Sequence, residues 1–230
     1  IENVYGEAAP RVIKWEEMTE CSIQHASSHN LLGKIQGSSD VGSSTIVLNA
    51  CENIVIGTVN ATMGHKPCVY LSIRASGVPN KNISIESINF KASTSVTNRL
   101  GHALAIRSAE DVTVGSILTE NGYRGVLIAM EAGDTAIATV KNISIGQIVA
   151  RNILADGGIA VYVVSDSGND VDNLTISQII VDGADTYGVR IDTVTNLSID
   201  SIISENTATT SNGLETVRFS DITDGVIGKI

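Results

Sequence analysis

Apolar and polar residues alternate in one short pattern that recurs along the whole chain. Each copy begins with Asn or Asp, the anchor, followed by an apolar, a small polar and a second apolar residue; a third apolar residue stands six positions after the anchor. Alternation with period two predicts a strand with one buried face. The anchors are Asn53, Asn82, Asp111, Asn142, Asn173 and Asn196, with degenerate copies beginning at Glu20 and Asp224.

A second alternating run precedes each anchor, as in residues 69–73 and 103–106, and a short third strand is expected between the two. Successive anchors lie 23 to 33 residues apart, so the loops change in length while the strand pattern persists. Three strands per turn of roughly 29 residues predict an all-β, right-handed, single-stranded parallel β-helix (β-solenoid) of about eight turns.

Equivalent positions in successive turns of such a fold form columns. The anchors are predicted to form a ladder of stacked amides at one corner. Most Asn-x-Ser/Thr sequences fall on this ladder, so they are interpreted as corner structure rather than as glycosylation sites. The predicted core columns are Ile54, Ile83, Val112, Ile143, Leu174 and Leu197, and Ile56, Ile85, Val114, Ile145, Ile176 and Ile199.

The repeat predicts one β-helix domain over residues 1–230. Residues 1–4 match the middle of a turn, and Ile230 is the last apolar position of a copy. Because solenoids need polar caps over their apolar end rungs, we expect the sequence to be a fragment cut inside the repeat at both ends.

Composition narrows the functional classes. A net charge of −10 over 230 residues argues against a nucleic-acid binder or an anionic-membrane binder, because phosphate contacts need clustered Lys and Arg. The apolar runs fall short of the roughly 18 residues that a membrane helix needs. The three cysteines include no CxxC pair and the four histidines do not converge on one rung, so neither a metal nor a cofactor is predicted.

The repeat resembles the pectate-lyase-like group of parallel β-helices, and within it the shaft of phage tailspike and appendage proteins. The resemblance implies a virion-appendage segment that binds host-surface polysaccharide, with degradation of that polysaccharide left open, in an extracellular or virion location and as a homotrimer. Gly101-His102-Ala103 and Arg11-Val12-Ile13-Lys14 do not match the polygalacturonase motifs of the group, so that activity is not expected.

Two alternatives of other classes stay open. One is a secreted bacterial polysaccharide lyase or glycoside hydrolase with the same fold. The other is a structural or ice-binding solenoid, because a hydroxyl column is predicted along the outside, at Ser84, Thr113, Ser144, Thr175 and Ser198.

A charge column stands nine positions after the anchors, at Lys91, Glu120, Arg151, Asp182 and Glu205. Its alternating part is typical of a surface ion-pair ladder. Asp182 and Glu205 break the alternation, and carboxylates on adjacent rungs would lie roughly 5 Å apart, the separation in retaining glycosidases. The alternative to a solvated ladder is therefore a catalytic pair, with Glu205 as the acid, Asp182 as the nucleophile and Arg151 favouring the ionised form of Asp182.

Substrate-binding candidates lie on and before the last strand of each turn. Asp156 and Asp185 occupy similar loop positions one turn apart, with Tyr187 and Tyr123 beside them to stack on a sugar, although Asp in such loops is also common turn chemistry. Further along, Arg190, Asp192 and Arg218 are predicted on one outward face, beside Arg107 and Tyr162, either as substrate ligands or as structural ion bridges. Arg151 of the charge column is a further substrate-binding candidate.

An apolar stripe is predicted seven positions after four consecutive anchors. Either it faces outward and forms the homotrimer interface, or the strand turns there and the column belongs to the core. The residues of the apolar stripe are Leu118, Val149, Ile180 and Ile203.

Overall fold

The computed structural model describes residues 1–7, 11–29, 44–64, 67–72, 77–92, 101–130, 139–153, 157–165, 171–207 and 216–230. The regular elements of these residues are all strands. In chain order they are β1 (Asn3–Glu7), β2 (Arg11–Glu16), β3 (Thr19–His29), β4 (Ser44–Asn49), β5 (Glu52–Gly64), β6 (Val69–Ser72), β7 (Asn80–Ala92), β8 (His102–Ile106), β9 (Ala109–Glu120), β10 (Arg124–Met130), β11 (Val140–Ile153), β12 (Ile159–Ser165), β13 (Val171–Ala184), β14 (Tyr187–Thr207) and β15 (Val217–Lys229).

All strand pairings among these elements are parallel and join one turn to the next. The neighbour order is β1-β3-β5-β7-β9-β11-β13-β14-β12-β10-β8-β6-β4-β2, with β15 on β14, so the single sheet winds nearly closed around an axis. This confirms the predicted all-β, parallel, β-helix-like architecture. In the part of the chain described, no helix is long and apolar enough to cross a membrane.

The short third strand expected in each turn is not a separate element. The backbone ladder continues around a bend, so the anchor strand and the third strand form one long strand, as in β7 and β9. The bend brings backbones of successive turns close together: a Cβ on Gly115 would lie 2.5 Å from the Glu86 carbonyl oxygen. Glycine at this position therefore allows two turns to approach closely without a side chain between them.

The two predicted core columns are confirmed. Each of their residues is at most 1% exposed, and the strand registers align them turn by turn. Cys51 and Cys68 are buried and Cys21 is half-buried. Burial raises the pKa of the Cys68 thiol to about 12, while a hydrogen bond with Thr45 acts in the opposite direction. These buried thiols therefore act as packing groups.

The anchor ladder forms the predicted corner. The anchors from Glu20 to Asp224 all have left-handed backbone conformations, with φ between 53° and 58°. Asn82 Nδ2 donates to Asn53 Oδ1 (2.9 Å), and Asn142 Nδ2 donates to Asp111 Oδ1 (2.8 Å). The ladder is less regular near its end, because Asn196 Nδ2 donates to Asp172 Oδ1 (3.1 Å) rather than to the preceding anchor.

A second left-handed corner lies ten positions after four anchors. Asn121, Asn152 and Asn206 have φ between 52° and 60°, and Gly183 takes the same place in its turn with φ of 87°. Asn and Gly tolerate this conformation better than other residues. This corner separates the strand face that carries the charge column from the face of the short strands β8, β10 and β12.

Candidate functional site

The charge column lies along the outside of the long strands in the predicted order. The registers place Lys91 beside Glu120, Glu120 beside Arg151, and Arg151 beside Asp182. Glu120 forms ion pairs with both cations, at 3.2 Å from Lys91 Nζ and 4.0 Å from an Arg151 guanidinium nitrogen. The part of the charge column from Lys91 to Arg151 is thus an ion-pair ladder. Each such surface pair contributes at most about 1 kcal/mol to the stability of the fold.

Asp182 and Glu205 are register partners on adjacent strands, and both are exposed. Asp182 Oδ1 accepts a hydrogen bond from Asn206 Nδ2 at 2.8 Å. Arg151 is the register neighbour of Asp182, but its ion pair is with Glu120. The structure therefore brings the two carboxyl groups onto neighbouring rungs, and their catalytic role stays a prediction.

Asp185 helps to hold the turn below it. Its Oδ2 accepts from the backbone N–H of Gly157 at 2.8 Å, and its own N–H donates to the Ile153 carbonyl at 3.0 Å. Gly157 has a φ of 77°, and Tyr123 lies close beside it. Asp156 lies outside the described residues. Asp185 therefore stabilises this turn, and its role in substrate binding stays a prediction.

Arg190 and Asp192 form a structural ion bridge. Arg190 Nε donates to Asp192 Oδ2 at 2.7 Å, and the Ser220 hydroxyl donates to Oδ1 at 2.6 Å. Asp192 is only 7% exposed, so both partners compensate the cost of burying its carboxylate. Arg218 is exposed and aligned with Arg190 one strand further along. The arrangement fixes the direction of the Arg190 guanidinium.

Arg190 belongs to a larger group of alternating rings and guanidinium groups. The Arg124 Cζ lies 4.8 Å from the ring centroid of Tyr123 and 4.4 Å from that of Tyr162. The Arg190 Cζ lies 5.3 Å from the Tyr162 centroid and 5.7 Å from the Tyr187 centroid. We call these five half-buried residues the Tyr–Arg cluster; it continues past Tyr123 to His102, whose ring centroid is 6.3 Å away.

The strand register explains why this cluster forms. Tyr162 of β12 pairs with Arg190 of β14, while Ile159 of β12 pairs with Arg124 on one side and with Tyr187 on the other. The rings and guanidinium groups therefore come from three successive short-strand segments. Within the described residues, the buried Arg124 Nε has no hydrogen-bond acceptor, so the flanking rings are the contacts seen for this guanidinium.

Sequence reasoning missed Arg124 as a member of this cluster and did not place Tyr162 at its centre. Arg124 could have been found by aligning the turns, because Arg124 and Tyr187 occupy equivalent positions in their turns and both pair with Ile159. The predicted sites at Tyr187, Arg190 and Asp192 are brought together, whereas Asp182 and Glu205 lie on the other side of the second corner.

The apolar stripe faces outward. In β9, β11 and β13 its residues are half-buried, and each lies between two buried neighbours in sequence; Ile203 in β14 is 46% exposed. The alternative that the strand turns here and sends the column into the core is therefore excluded. Two positions before the stripe stands a Ser/Gln column, and the charge column stands two positions after it; the Ser/Gln column is Ser116, Gln147, Gln178 and Ser201.

The predicted hydroxyl column is aligned on another face, where it is exposed except at Ser198, which is half-buried. It runs from Ser84 to Ser198 with Thr113, Ser144 and Thr175 between them. Among the described residues, no group of three or more His, Cys, Asp or Glu side chains is placed to hold a metal ion. The Tyr–Arg cluster is the arrangement that offers the most varied chemistry: ring faces, guanidinium donors and a fixed carboxylate.

Comparisons with protein-family models, with curated proteins and with solved structures found no match to this chain.

Proposed function

We propose that the chain is a segment of a tailspike-like virion appendage that binds host-surface polysaccharide through the Tyr–Arg cluster. The observation that carries this proposal is the stack of three tyrosines and two arginines on one face of the solenoid. Tyrosine rings present flat apolar faces for sugar rings, and guanidinium N–H groups donate to hydroxyl or carboxylate oxygens. A protein that binds host-surface polysaccharide must meet it outside the host cell, so we propose an extracellular or virion location.

The cluster is also preorganised for such binding. Arg190 is held by Asp192 and by two rings, so little side-chain freedom is lost when a ligand arrives. All five residues are half-buried rather than fully buried, so part of the surface of each residue is accessible. A rigid, partly apolar surface with a few fixed polar groups is typical of ligand sites.

Tyr162→Ala is expected to weaken polysaccharide binding about tenfold, or ~1.4 kcal/mol, because Tyr162 contacts both arginines. The measurement is titration with purified bacterial surface polysaccharides, both neutral and acidic. Tyr162→Phe keeps the ring and should bind like the wild type. Tyr5→Ala is the matched control, because Tyr5 is 63% exposed on β1. The proposal that the Tyr–Arg cluster binds polysaccharide would be wrong if Tyr5→Ala and Tyr162→Ala lost the same affinity, or if the wild type did not bind.

The alternative function is a secreted polysaccharide lyase or glycoside hydrolase, favoured by the register pairing of Asp182 with Glu205. In an active chain, Asp182→Asn and Glu205→Gln should each lower reducing-end release at least about a hundredfold, since positioned acids and bases contribute 10² to 10⁴. Ser144→Ala, on the hydroxyl column, is the control. Undiminished release in both carboxyl variants rules the pair out, and no release by the wild type supports binding alone.

We also propose the finer architecture. The right-handed crossover rule supports a right-handed coil, the eight anchors support about eight turns, and the repeat supports kinship with the pectate-lyase-like β-helices. The apolar stripe supports a homotrimer in which Leu118, Val149, Ile180 and Ile203 of each copy face a common axis.

A further inference from the structure

Arg124 carries a positive charge that the described part of the protein does not neutralise. No carboxylate of the described residues forms an ion pair with it, and its buried Nε has no hydrogen-bond acceptor there. The rings of Tyr123 and Tyr162 flank the guanidinium group, with their centroids 4.8 Å and 4.4 Å from Cζ. A ring face attracts a cation, but it supplies neither a full negative charge nor a strong acceptor. A bound anion would supply both.

Arg124 differs in this respect from other cations of the protein. Arg190, the second guanidinium group of the Tyr–Arg cluster, donates from Nε to Asp192 Oδ2 at 2.7 Å. Lys141 forms no ion pair among the described residues, but it is exposed, so water solvates its charge. Arg124 is half-buried and loses part of that solvation. The uncompensated positive charge of the cluster therefore lies on Arg124.

Two acids beside the cluster do not supply the missing negative charge. Asp185 Oδ2 accepts from the Gly157 N–H at 2.8 Å, and Asp192 Oδ2 accepts from Arg190. Neither carboxylate forms an ion pair with Arg124. A buried donor without an acceptor is uncommon in folded proteins, and a missing ion or ligand group is one explanation for it.

We propose that Arg124 recognises a negatively charged oxygen group on the bound polysaccharide, so that the Tyr–Arg cluster selects acidic over neutral glycans. This inference rests on the proposed function and adds the chemical class of the ligand and the residue that determines it. Carboxylate, sulfate and phosphate share the required chemistry, because each offers two or more oxygens to the guanidinium N–H groups. The flanking tyrosine rings then contact the sugar that carries the anion.

Chemically matched polysaccharides test this selectivity. Acidic bacterial surface polysaccharides are titrated before and after their charge is removed, by reduction of carboxyl groups to alcohols or by removal of sulfate or phosphate esters. Loss of the charge is expected to weaken wild-type binding roughly ten- to a hundredfold, as for a lost hydrogen bond between charged groups. The treatment that weakens binding identifies the anion.

Arg124→Gln should bind the charged and the neutralised form of each polymer with equal affinity. Lys141→Gln is the matched control, because it removes one positive charge at an exposed position of β11, and it should keep the preference for the charged form. Circular dichroism verifies that each variant keeps the strand signal. If Arg124→Gln does not fold, the wild-type titrations with the matched polymers decide alone.

Sodium glucuronate, sulfate and phosphate are also tested as free anions at constant ionic strength. An anion that binds the folded state raises the midpoint of thermal unfolding. We expect at least one of them to raise the midpoint of the wild type and of Lys141→Gln but not of Arg124→Gln.

The outcomes separate this inference from the proposed function. Equal wild-type affinity for charged and neutralised polymers, or a preference that persists in Arg124→Gln, overturns the selectivity and leaves polysaccharide binding intact. If the wild type binds no polysaccharide but a free anion stabilises it through Arg124, only the proposed function fails. If neither polymers nor free anions bind, both proposals are wrong.

Discussion

Ile145→Asp is expected to unfold the solenoid or to leave it with a small fraction of its stability. Ile145 is fully buried in the middle of a core column, between Val114 and Ile176 on the neighbouring strands. An unpaired carboxylate at this place costs more than the 4 to 5 kcal/mol at the upper end of measured substitutions, against about 5 to 15 kcal/mol of total stability. The measurement is urea unfolding followed by the strand signal in circular dichroism.

Two variants calibrate this result. Ile145→Ala removes buried methyl groups without adding charge and should cost about 2 to 5 kcal/mol. Ser144→Asp introduces the same acid at the adjacent, exposed position and should change stability by less than about 1 kcal/mol. A wild-type urea midpoint for Ile145→Asp would show that this column does not form the core.

Much of the fold follows from the alternation of side chains because a solenoid repeats one local environment. The apolar positions after Asn53 and Asn82 recur at fixed places, so the same residues become strand neighbours whatever the loop length between them. The anchors were recognisable because Asn favours the left-handed corner and can donate to the anchor of the preceding turn. Such features depend on local geometry, which the sequence repeats.

The continuity of the long strands was not predictable from the same pattern. Alternation breaks at the bend between the two parts of β7, and the sequence does not show that the backbone ladder continues through it. Gly115 marks the bend in one turn, but Glu86 occupies the equivalent place in the turn before it. Residue identity at the bend therefore varies while the geometry stays the same.

Candidate sites were predictable as columns and not as contacts. The alignment of Asp182 with Glu205 follows from the repeat. That Arg151 forms its ion pair with Glu120 rather than with Asp182 depends on how the long side chains extend, which the repeat does not determine. The stacking of Arg124 between two tyrosines likewise depends on side-chain direction. Asp192 was expected on an outward face, but its side chain is buried beside Arg190 and Ser220. These contacts do not follow from its position in the repeat.

Ile180→Asp is expected to separate the proposed trimer into folded monomers. Ile180 is half-buried on the outer face of β13, so the isolated chain loses only part of one side chain's packing. In the trimer three copies of the residue face one axis. At about 1 kcal/mol of remaining burial per copy, their loss weakens association about a hundredfold, and repulsion among three carboxylates adds to this.

The measurement is light scattering across a dilution series, with circular dichroism on the same samples. Ser144→Asp is again the matched control, because it places the same charge on the face that carries the hydroxyl column and should leave the oligomer intact. If Ile180→Asp remained oligomeric, the interface would have to lie on a face other than the apolar stripe. Loss of the strand signal would show that the fold itself depends on this column, because a residue outside the core should tolerate the change, and the interface proposal would then fail.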